Sequence, residues 1–192
     1  MDNYINSLYY SLSTIAQVLA AFIALSSVFV IFKIQEINKT ILSFSMKFHN
    51  VFCSLPDVKL NSSAMELTNN LSDFRNLEAT SEVFEEMKVL QNRSEAFNNP
   101  QGELLKKIFL ETNKLYNTKK AIKTLTYISL LVGVITIGYS LIILSTAHTI
   151  SITSYKCVTR MSNLGSIITI LTMTISIILC LKEAGIKKGV FK

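Results

Sequence analysis

Three long stretches of this chain carry no charged side chain, and they limit what the chain can fold into. They cover residues 3–32, 124–155 and 161–181. A helix crosses the hydrocarbon of a bilayer, roughly 30 Å thick, with about 20 mainly apolar residues. We therefore predict three membrane-spanning helices, near residues 8–32, 125–146 and 164–181. The composition agrees, since 49% of the 192 residues are hydrophobic and the mean hydropathy is +0.39.

Lysine and arginine side chains are concentrated on one side of all three predicted spans. The lysines near the spans on this side are Lys33, Lys39, Lys47, Lys114, Lys119, Lys120, Lys123, Lys182, Lys187, Lys188 and Lys192. The other side carries only Lys156 and Arg160. Because basic residues are retained in the cytoplasm, we predict a multi-pass protein of the inner (plasma) membrane. Its N-terminus and a short loop lie outside, while residues 33–123 and the C-terminus are cytoplasmic. The first span follows a segment without Lys or Arg, which predicts a retained anchor.

The first span leads directly into an apolar repeat with alternating steps of three and four residues. We call its members the seam: Ile34, Ile37, Ile41, Phe44, Phe48, Val51 and Leu55. Three successive heptads with apolar a and d positions predict a helix that packs against other helices along this edge. Pro56 follows, and proline cannot continue the hydrogen-bond ladder of a helix. One helix is therefore predicted from about residue 8 to residue 54.

Further signals predict helices between the seam and the second span. Ser63 and Glu66 have the spacing of a capping box, which marks a helix start. A third helix is predicted at about residues 81–97. A fourth begins at Pro100, after Asn99 as its N-cap, and runs without a break through the second span to about residue 147.

These segments predict an all-α fold for an integral membrane protein. Three transmembrane helices are joined to an antiparallel four-helix cytosolic bundle, which is formed by extensions of spans one and two plus two short helices. The predicted domains are an N-terminal transmembrane helix (1–32), the cytosolic bundle (33–123), and a transmembrane hairpin with a short outer loop and a cytosolic tail (124–192).

Reactive side chains are few and scattered along the sequence. His49 and His148 are predicted on opposite sides of the membrane, and Cys53, Cys157 and Cys180 fall in three different regions. Sequence motifs for a nucleophile, a metal site or a phosphate loop do not occur. Residues 33–123 hold 13 basic and 11 acidic side chains, an excess too small to indicate nucleic acid. We expect no enzyme activity, no cofactor, no metal and no nucleic-acid partner.

The predicted spans contain small and polar residues at helical spacing. Those most suited to an interhelical or pore-lining role are Gln17, Ser13, Ser27, Ser166, Thr169 and Ser176. Such residues hydrogen-bond between packed helices, within one chain or between subunits. The alternative is that they line a pore in a homo-oligomer. Gln17 is the most informative of them, because an amide in hydrocarbon needs a partner.

Three lysines at the predicted cytosolic end of the second span are candidates for contact with lipid headgroups. Lys119, Lys120 and Lys123 lie within five residues of one another. A basic side chain near an anionic leaflet contributes about 1 kcal/mol to binding. The simpler alternative is that these lysines only set the orientation of the chain.

Residues 13–35, "STIAQVLAAFIALSSVFVIFKIQ", resemble the start of small uncharacterised prokaryotic inner-membrane proteins. In those proteins a Ser-Thr-Ile-Ala-Gln span runs into a charged cytosolic helix. The resemblance implies a prokaryotic inner membrane and no activity. A membrane anchor with a small helical domain is also similar in architecture to membrane effectors of phage-defence systems.

Two functions are consistent with these features. The first is a non-enzymatic homo-oligomeric membrane protein that opens or perturbs the bilayer, as a pore or depolarising effector. The second is a membrane-anchored scaffold or sensor whose cytosolic bundle recruits a protein partner. The uncharged polar stripes of the spans favour the first.

Overall fold

A computed structural model describes residues 2–55, 62–94, 100–146 and 152–186 of the chain. Five α-helices account for these ranges, and no strand occurs in them, so the predicted all-α class is confirmed. The helices are α1 (Asp2–Cys53), α2 (Ser62–Asn76), α3 (Thr80–Ser94), α4 (Pro100–Ser145) and α5 (Ile152–Ile186). Three of them, α1, α4 and α5, are long and apolar enough to cross a membrane.

The lengths of α1 and α4 exceed what a bilayer requires. At 1.5 Å per residue, the 52 residues of α1 extend over about 78 Å and the 46 residues of α4 over about 69 Å. Both are more than twice the roughly 30 Å of the hydrocarbon core. The predicted absence of a break in each helix is confirmed. The fourth helix begins at Pro100, as predicted, because the fixed φ of proline suits the first helical position.

The third membrane helix is longer than the sequence predicted. Helix α5 begins at Ile152, twelve residues before the predicted start of the span at residue 164. Lys156, Cys157 and Arg160 were expected in a loop but lie on exposed positions of α5. The apolar stretch defines only the part of a helix suited to lipid. A helix that satisfies its own backbone hydrogen bonds can continue beyond that limit, with long basic side chains pointing to water.

Two other sequence signals involve residues outside the described ranges. One is the side chain of Ser63, the proposed N-cap of α2. The other is Asn99, the proposed N-cap of α4, all of which lies outside the described ranges. Helix α1 ends at Cys53, three residues before Pro56, and a final tight turn closes with Leu55 N–H donating to Phe52 O at 3.1 Å.

The described chain divides into two compact units. One, which we call the apolar unit, contains residues 1–32 and 121–192, and the other, which we call the charged unit, contains residues 33–120. The core of the charged unit combines side chains from all four helical segments within it, which supports the prediction of a helical bundle. Its fully buried members are Phe48, Phe52, Leu55, Leu71, Val83, Met87, Leu90 and Leu105.

Aromatic rings extend this core between α3 and α4. Phe84 of α3 lies parallel to Tyr116 with ring centroids 4.4 Å apart, and parallel to Phe109 with centroids 5.7 Å apart. Offset aromatic pairs of this kind contribute about 0.5–1.5 kcal/mol beyond their buried area. The two contacts fix the position of α3 along α4 within the charged unit.

The buried face of α1 differs from the predicted seam. Ile37, Ile41, Phe48 and Leu55 are buried as expected, and Ile34 is half-buried. However, Ser45 and Phe52 take the fully buried positions that the heptad assigned to Phe44 and Val51, which are only half-buried. A strict heptad requires a period of 3.5 residues, whereas an undistorted α-helix has 3.6, so the buried face moves on by one residue at these steps.

Candidate functional site

Small and hydroxylated residues of α4 face the interior of the apolar unit. Ser129, Gly133, Thr136 and Ser140 follow one another at steps of four, three and four residues, and all are buried. The spacing places them on one side of the helix. Because their side chains are small, neighbouring helices can come close along this side.

Gly133 and Gly165 lie where the helices approach most closely. A Cβ atom at Gly133 would overlap Ile23 Cδ1 of α1 and lie 3.1 Å from Thr169 Cγ2 of α5. A Cβ atom at Gly165 of α5 would overlap Thr136 Oγ1 of α4 and lie 3.2 Å from two carbons of the same side chain. The α1, α4 and α5 segments of the apolar unit therefore pack on one another through glycine.

Hydroxyl groups link α4 and α5 inside this unit. Ser129 Oγ donates to the Thr169 carbonyl at 3.0 Å, and the Oγ atoms of Ser140 and Ser162 are 3.1 Å apart. Such interhelical bonds contribute about 0.6–2 kcal/mol in membranes. These bonds fix the register of the helix pair.

The polar residues predicted in the third span lie at or near this helix contact. Thr169 and Ser176 are fully buried, and Ser166 is half-buried. Each hydroxyl also donates to the carbonyl four residues before it, at 2.8 Å for Ser166, 2.9 Å for Thr169 and 3.1 Å for Ser176. For Thr169 the structure has an interhelical hydrogen bond within one chain, because its carbonyl accepts from Ser129 of α4.

Ser27 of α1 lies in a different environment from Gln17, another of the predicted polar residues. The residue as a whole is half-buried, but its Oγ atom is fully buried and has no hydrogen-bond partner in the described chain. It lies at the edge of the buried face of α1, not on the exposed side with Gln17.

Gln17 and Ser13 point away from the interior of the apolar unit. Gln17 is exposed and Ser13 half-exposed, and Gln17 Nε2 donates to Ser13 Oγ at 3.3 Å. Counting from residue 8, Gln17 lies about 14 Å into the span. This depth is near the middle of the hydrocarbon if the span begins where the sequence predicts.

Gln17 belongs to a second regular repeat on α1, which the sequence reading did not identify. We call it the outer seam; its members, all exposed, are Tyr10, Thr14, Gln17, Ala21, Ala24, Val28 and Ile31. The steps alternate between four and three residues, which is the pattern of a helix that packs against another helix with a shallow crossing angle. Small residues are central to it, and no described helix of the same chain covers it.

The three lysines proposed for lipid headgroups occupy two kinds of environment. Lys119 is only 6% exposed, and its Nζ donates to Thr80 Oγ1 at 2.5 Å, at the start of α3. Its ammonium group therefore serves the interior of the charged unit, which does not suit contact with a lipid headgroup. Lys120 and Lys123 are exposed, and for them the headgroup role stays a prediction.

A histidine and a cysteine lie together near the end of α1. His49 and Cys53 are one helical turn apart and both half-buried. Cys53 Sγ is 3.7 Å from His49 Nε2 and 3.9 Å from Nδ1. Burial raises the pKa of the Cys53 thiol, while a hydrogen bond from Thr68 acts in the opposite direction. The two residues were considered separately at the level of sequence. Their spacing of four residues on a predicted helix already indicated that they lie side by side.

Larger clusters of metal-ligating side chains do not occur in the described ranges: no three His, Cys, Asp or Glu residues there gather around one point. The chain matches no protein-family model, no curated protein and no solved structure.

Proposed function

We propose that the protein is a non-enzymatic homo-oligomer of a prokaryotic inner membrane that lets ions cross the bilayer, as a pore or depolarising effector. In this proposal the charged unit is cytoplasmic and α1, α4 and α5 are the three spans. The observation that carries the proposal is the exposed amide of Gln17 within an uncharged apolar stretch of α1.

A glutamine side chain offers two N–H donors and one carbonyl acceptor. The bond to Ser13 uses one donor of Gln17. In hydrocarbon no water is available to the others, and an unsatisfied polar group there costs several kcal/mol. A second copy of α1 that packs on the outer seam can supply the missing partners.

Several other polar residues of the spans are engaged within the protomer. Ser129, Thr136, Ser140 and Thr169 make hydrogen bonds within the apolar unit. They stabilise the protomer and are not available to line a path between subunits. In a ring of protomers, Gln17 would pair across the contact between neighbouring α1 helices. The hydroxyl groups of Ser13 and Thr14 beside it would provide the uncharged polar lining that a water-filled path needs.

An ion-flux assay in liposomes tests this function. The wild-type protein is expected to dissipate a potassium gradient, and Gln17→Leu to leave the liposomes tight. Thr174→Val is the matched control, since Thr174 is an exposed polar residue of α5 outside the outer seam, and it should leak as the wild type does. Tight liposomes with the wild type at every protein density would exclude the pore.

A second candidate is a membrane-anchored scaffold or sensor whose charged unit binds a protein partner. It is favoured by Leu77, which is 75% exposed in the turn between α2 and α3. Under this candidate the liposomes stay tight, and Leu77→Ser reduces co-isolation of one defined protein from native membranes. Val89→Ser, at a less exposed position of α3, should leave that association unchanged.

A further inference from the structure

We propose that His49 and Cys53 form a two-ligand binding site for Zn²⁺ or a metal ion of similar softness on the charged unit. The proposal is independent of ion conduction. It starts from the spacing, because side chains four residues apart on a helix point in the same direction. The same spacing lets two histidines of one helix bind a single zinc ion in metalloproteases.

The distance between the two ligand atoms suits a tetrahedral zinc ion. Zinc binds cysteine sulfur at about 2.3 Å and histidine nitrogen at about 2.0–2.1 Å, so the two atoms lie about 3.6 Å apart at a tetrahedral angle. In the structure, Cys53 Sγ is 3.7 Å from His49 Nε2. The two side chains are therefore close enough to share one metal ion.

Only the orientation of the imidazole must change. Cys53 Sγ is almost equally far from the two ring nitrogens, at 3.7 and 3.9 Å, so neither nitrogen lone pair yet points to a position shared with the sulfur. The χ2 angle of histidine is broadly distributed, and a half-buried ring has room to rotate. Rotation about χ2 directs Nε2 to the metal position.

The donor atoms decide which metals can bind. A thiolate and an imidazole select zinc and similar transition metals, whereas magnesium and calcium require oxygen ligands. Two protein ligands leave two tetrahedral positions for water or a small anion. The site is therefore weaker than a four-ligand structural zinc site, and it remains open to an additional ligand.

Binding replaces the proton of the thiol. Zn²⁺ forms one bond to Cys53 sulfur and one to His49 nitrogen, and the thiol proton leaves to solvent, so the charge of the site rises by one. Thr68 is in position to stabilise the sulfur, since it hydrogen-bonds to this thiol and is itself buried.

A titration of the full chain in detergent with Co²⁺, a spectroscopic substitute for zinc, tests the site. The protein carries Cys157→Ser, which removes the exposed thiol. We expect a thiolate-to-cobalt charge-transfer band that disappears on addition of Zn²⁺. Cys53→Ser should abolish the band, and His49→Gln should weaken cobalt binding at least tenfold while the helical circular dichroism is unchanged.

Cys180→Ala is the matched control, because it removes the other remaining cysteine, which is buried in α5. It should leave the band intact. The proposal is wrong if no band forms in the parent protein, or if the band survives Cys53→Ser. Equal cobalt affinity of the parent and His49→Gln would also contradict it, because the site would then not use the imidazole.

Discussion

Glycine side chains decide the closest contacts in the apolar unit. Gly165 faces Thr136, a β-branched residue whose Oγ1 donates to the Val132 carbonyl at 2.8 Å. The added Cβ atom would also lie 3.2 Å from Thr136 Cβ, which a change of side-chain rotamer does not move. Gly133 faces the flexible end of Ile23 and, at 3.1 Å, Thr169 Cγ2. Both are terminal side-chain atoms that can shift, so Gly133 is the more tolerant position. The sequence alone does not show which helix Gly133 meets.

Gly165→Ala is expected to destabilise the apolar unit by about 1–3 kcal/mol, because overpacking forces the helices apart. Gly138→Ala is the matched control. A Cβ atom at Gly138 meets nothing within 4 Å, and alanine favours a helix by about 0.5–1 kcal/mol over glycine. In thermal unfolding in detergent, Gly165→Ala should therefore lower the melting temperature and Gly138→Ala should raise it. Equal melting temperatures would show that Gly165 is not a contact.

Glu78 takes a backbone conformation that favours glycine. Its φ is 53°, and two hydrogen bonds close the end of α2 around it: Ala79 N–H donates to Phe74 O at 2.9 Å, and Glu78 N–H donates to Arg75 O at 3.1 Å. This pattern is a Schellman motif, in which the left-handed position is usually glycine. Nothing in the sequence around Glu78 indicated such a turn.

Glu78→Gly is expected to stabilise the charged unit by about 0.5–1 kcal/mol, since glycine adopts positive φ without the steric cost of a Cβ atom. Glu78→Ala removes the same carboxylate but keeps the Cβ atom, so it should give no such gain. Hydrogen exchange of the amides of α2 and α3 measures the difference. A gain with both variants would assign the effect to charge instead.

At the scale of elements, the course of α1 was predictable, but its buried face was only partly so. The pattern of apolar residues identified Ile37, Ile41, Phe48 and Leu55 as buried. It also assigned Phe44 to the interior, where the structure has Ser45. The steps of an undistorted helix brought a serine to the interior, which no hydrophobic pattern indicates. Ser45 is satisfied there by donating to the Leu42 carbonyl at 2.8 Å.

Two phenylalanines of α1 distinguish the observed face from the heptad. Phe52 is 1% exposed and stacks on Phe48 with centroids 6.2 Å apart, so Phe52→Ala should cost about 3–5 kcal/mol. Phe44 is half-buried, with Lys47 Nζ 6.0 Å from its ring centre, so Phe44→Ala should cost about 1 kcal/mol. Hydrogen-exchange protection of the α3 amides measures the destabilisation caused by each variant. A larger loss of protection with Phe44→Ala than with Phe52→Ala would instead support the heptad.

The repeat of α4 shows why some helix faces cannot be found by hydrophobicity. Its inward positions advance by alternating steps of three and four residues from Leu105 to Ser140, and every one is at least half-buried. Thr112, Lys119 and Gly133 are members of this repeat. A lysine at a core position contradicts an apolar pattern. Its partner Thr80, 39 residues away in the sequence, becomes apparent only in three dimensions.

At the scale of the whole molecule, the sequence predicted the number of membrane-length helices and the helical character of the rest, because uncharged length is a direct physical requirement of lipid. It also selected Gln17 as a candidate site residue, and that choice stays a prediction. What it could not decide was the direction of each polar side chain. Ser129 and Thr169 hydrogen-bond between helices of one protomer, whereas Gln17 faces outwards, and this depends on which helices are neighbours.

In the proposed oligomer the outer seam joins two copies of α1, and cysteine cross-linking in native membranes is a direct test of this contact. Single cysteines are introduced by Gln17→Cys, Ala24→Cys and, on the buried face, Ala16→Cys. The background removes the natural cysteines through Cys53→Ser, Cys157→Ser and Cys180→Ala. We expect oxidation to give covalent dimers at positions 17 and 24 and only monomers at position 16. Monomers at all three positions, or equal dimer yields at all three, would contradict the claim.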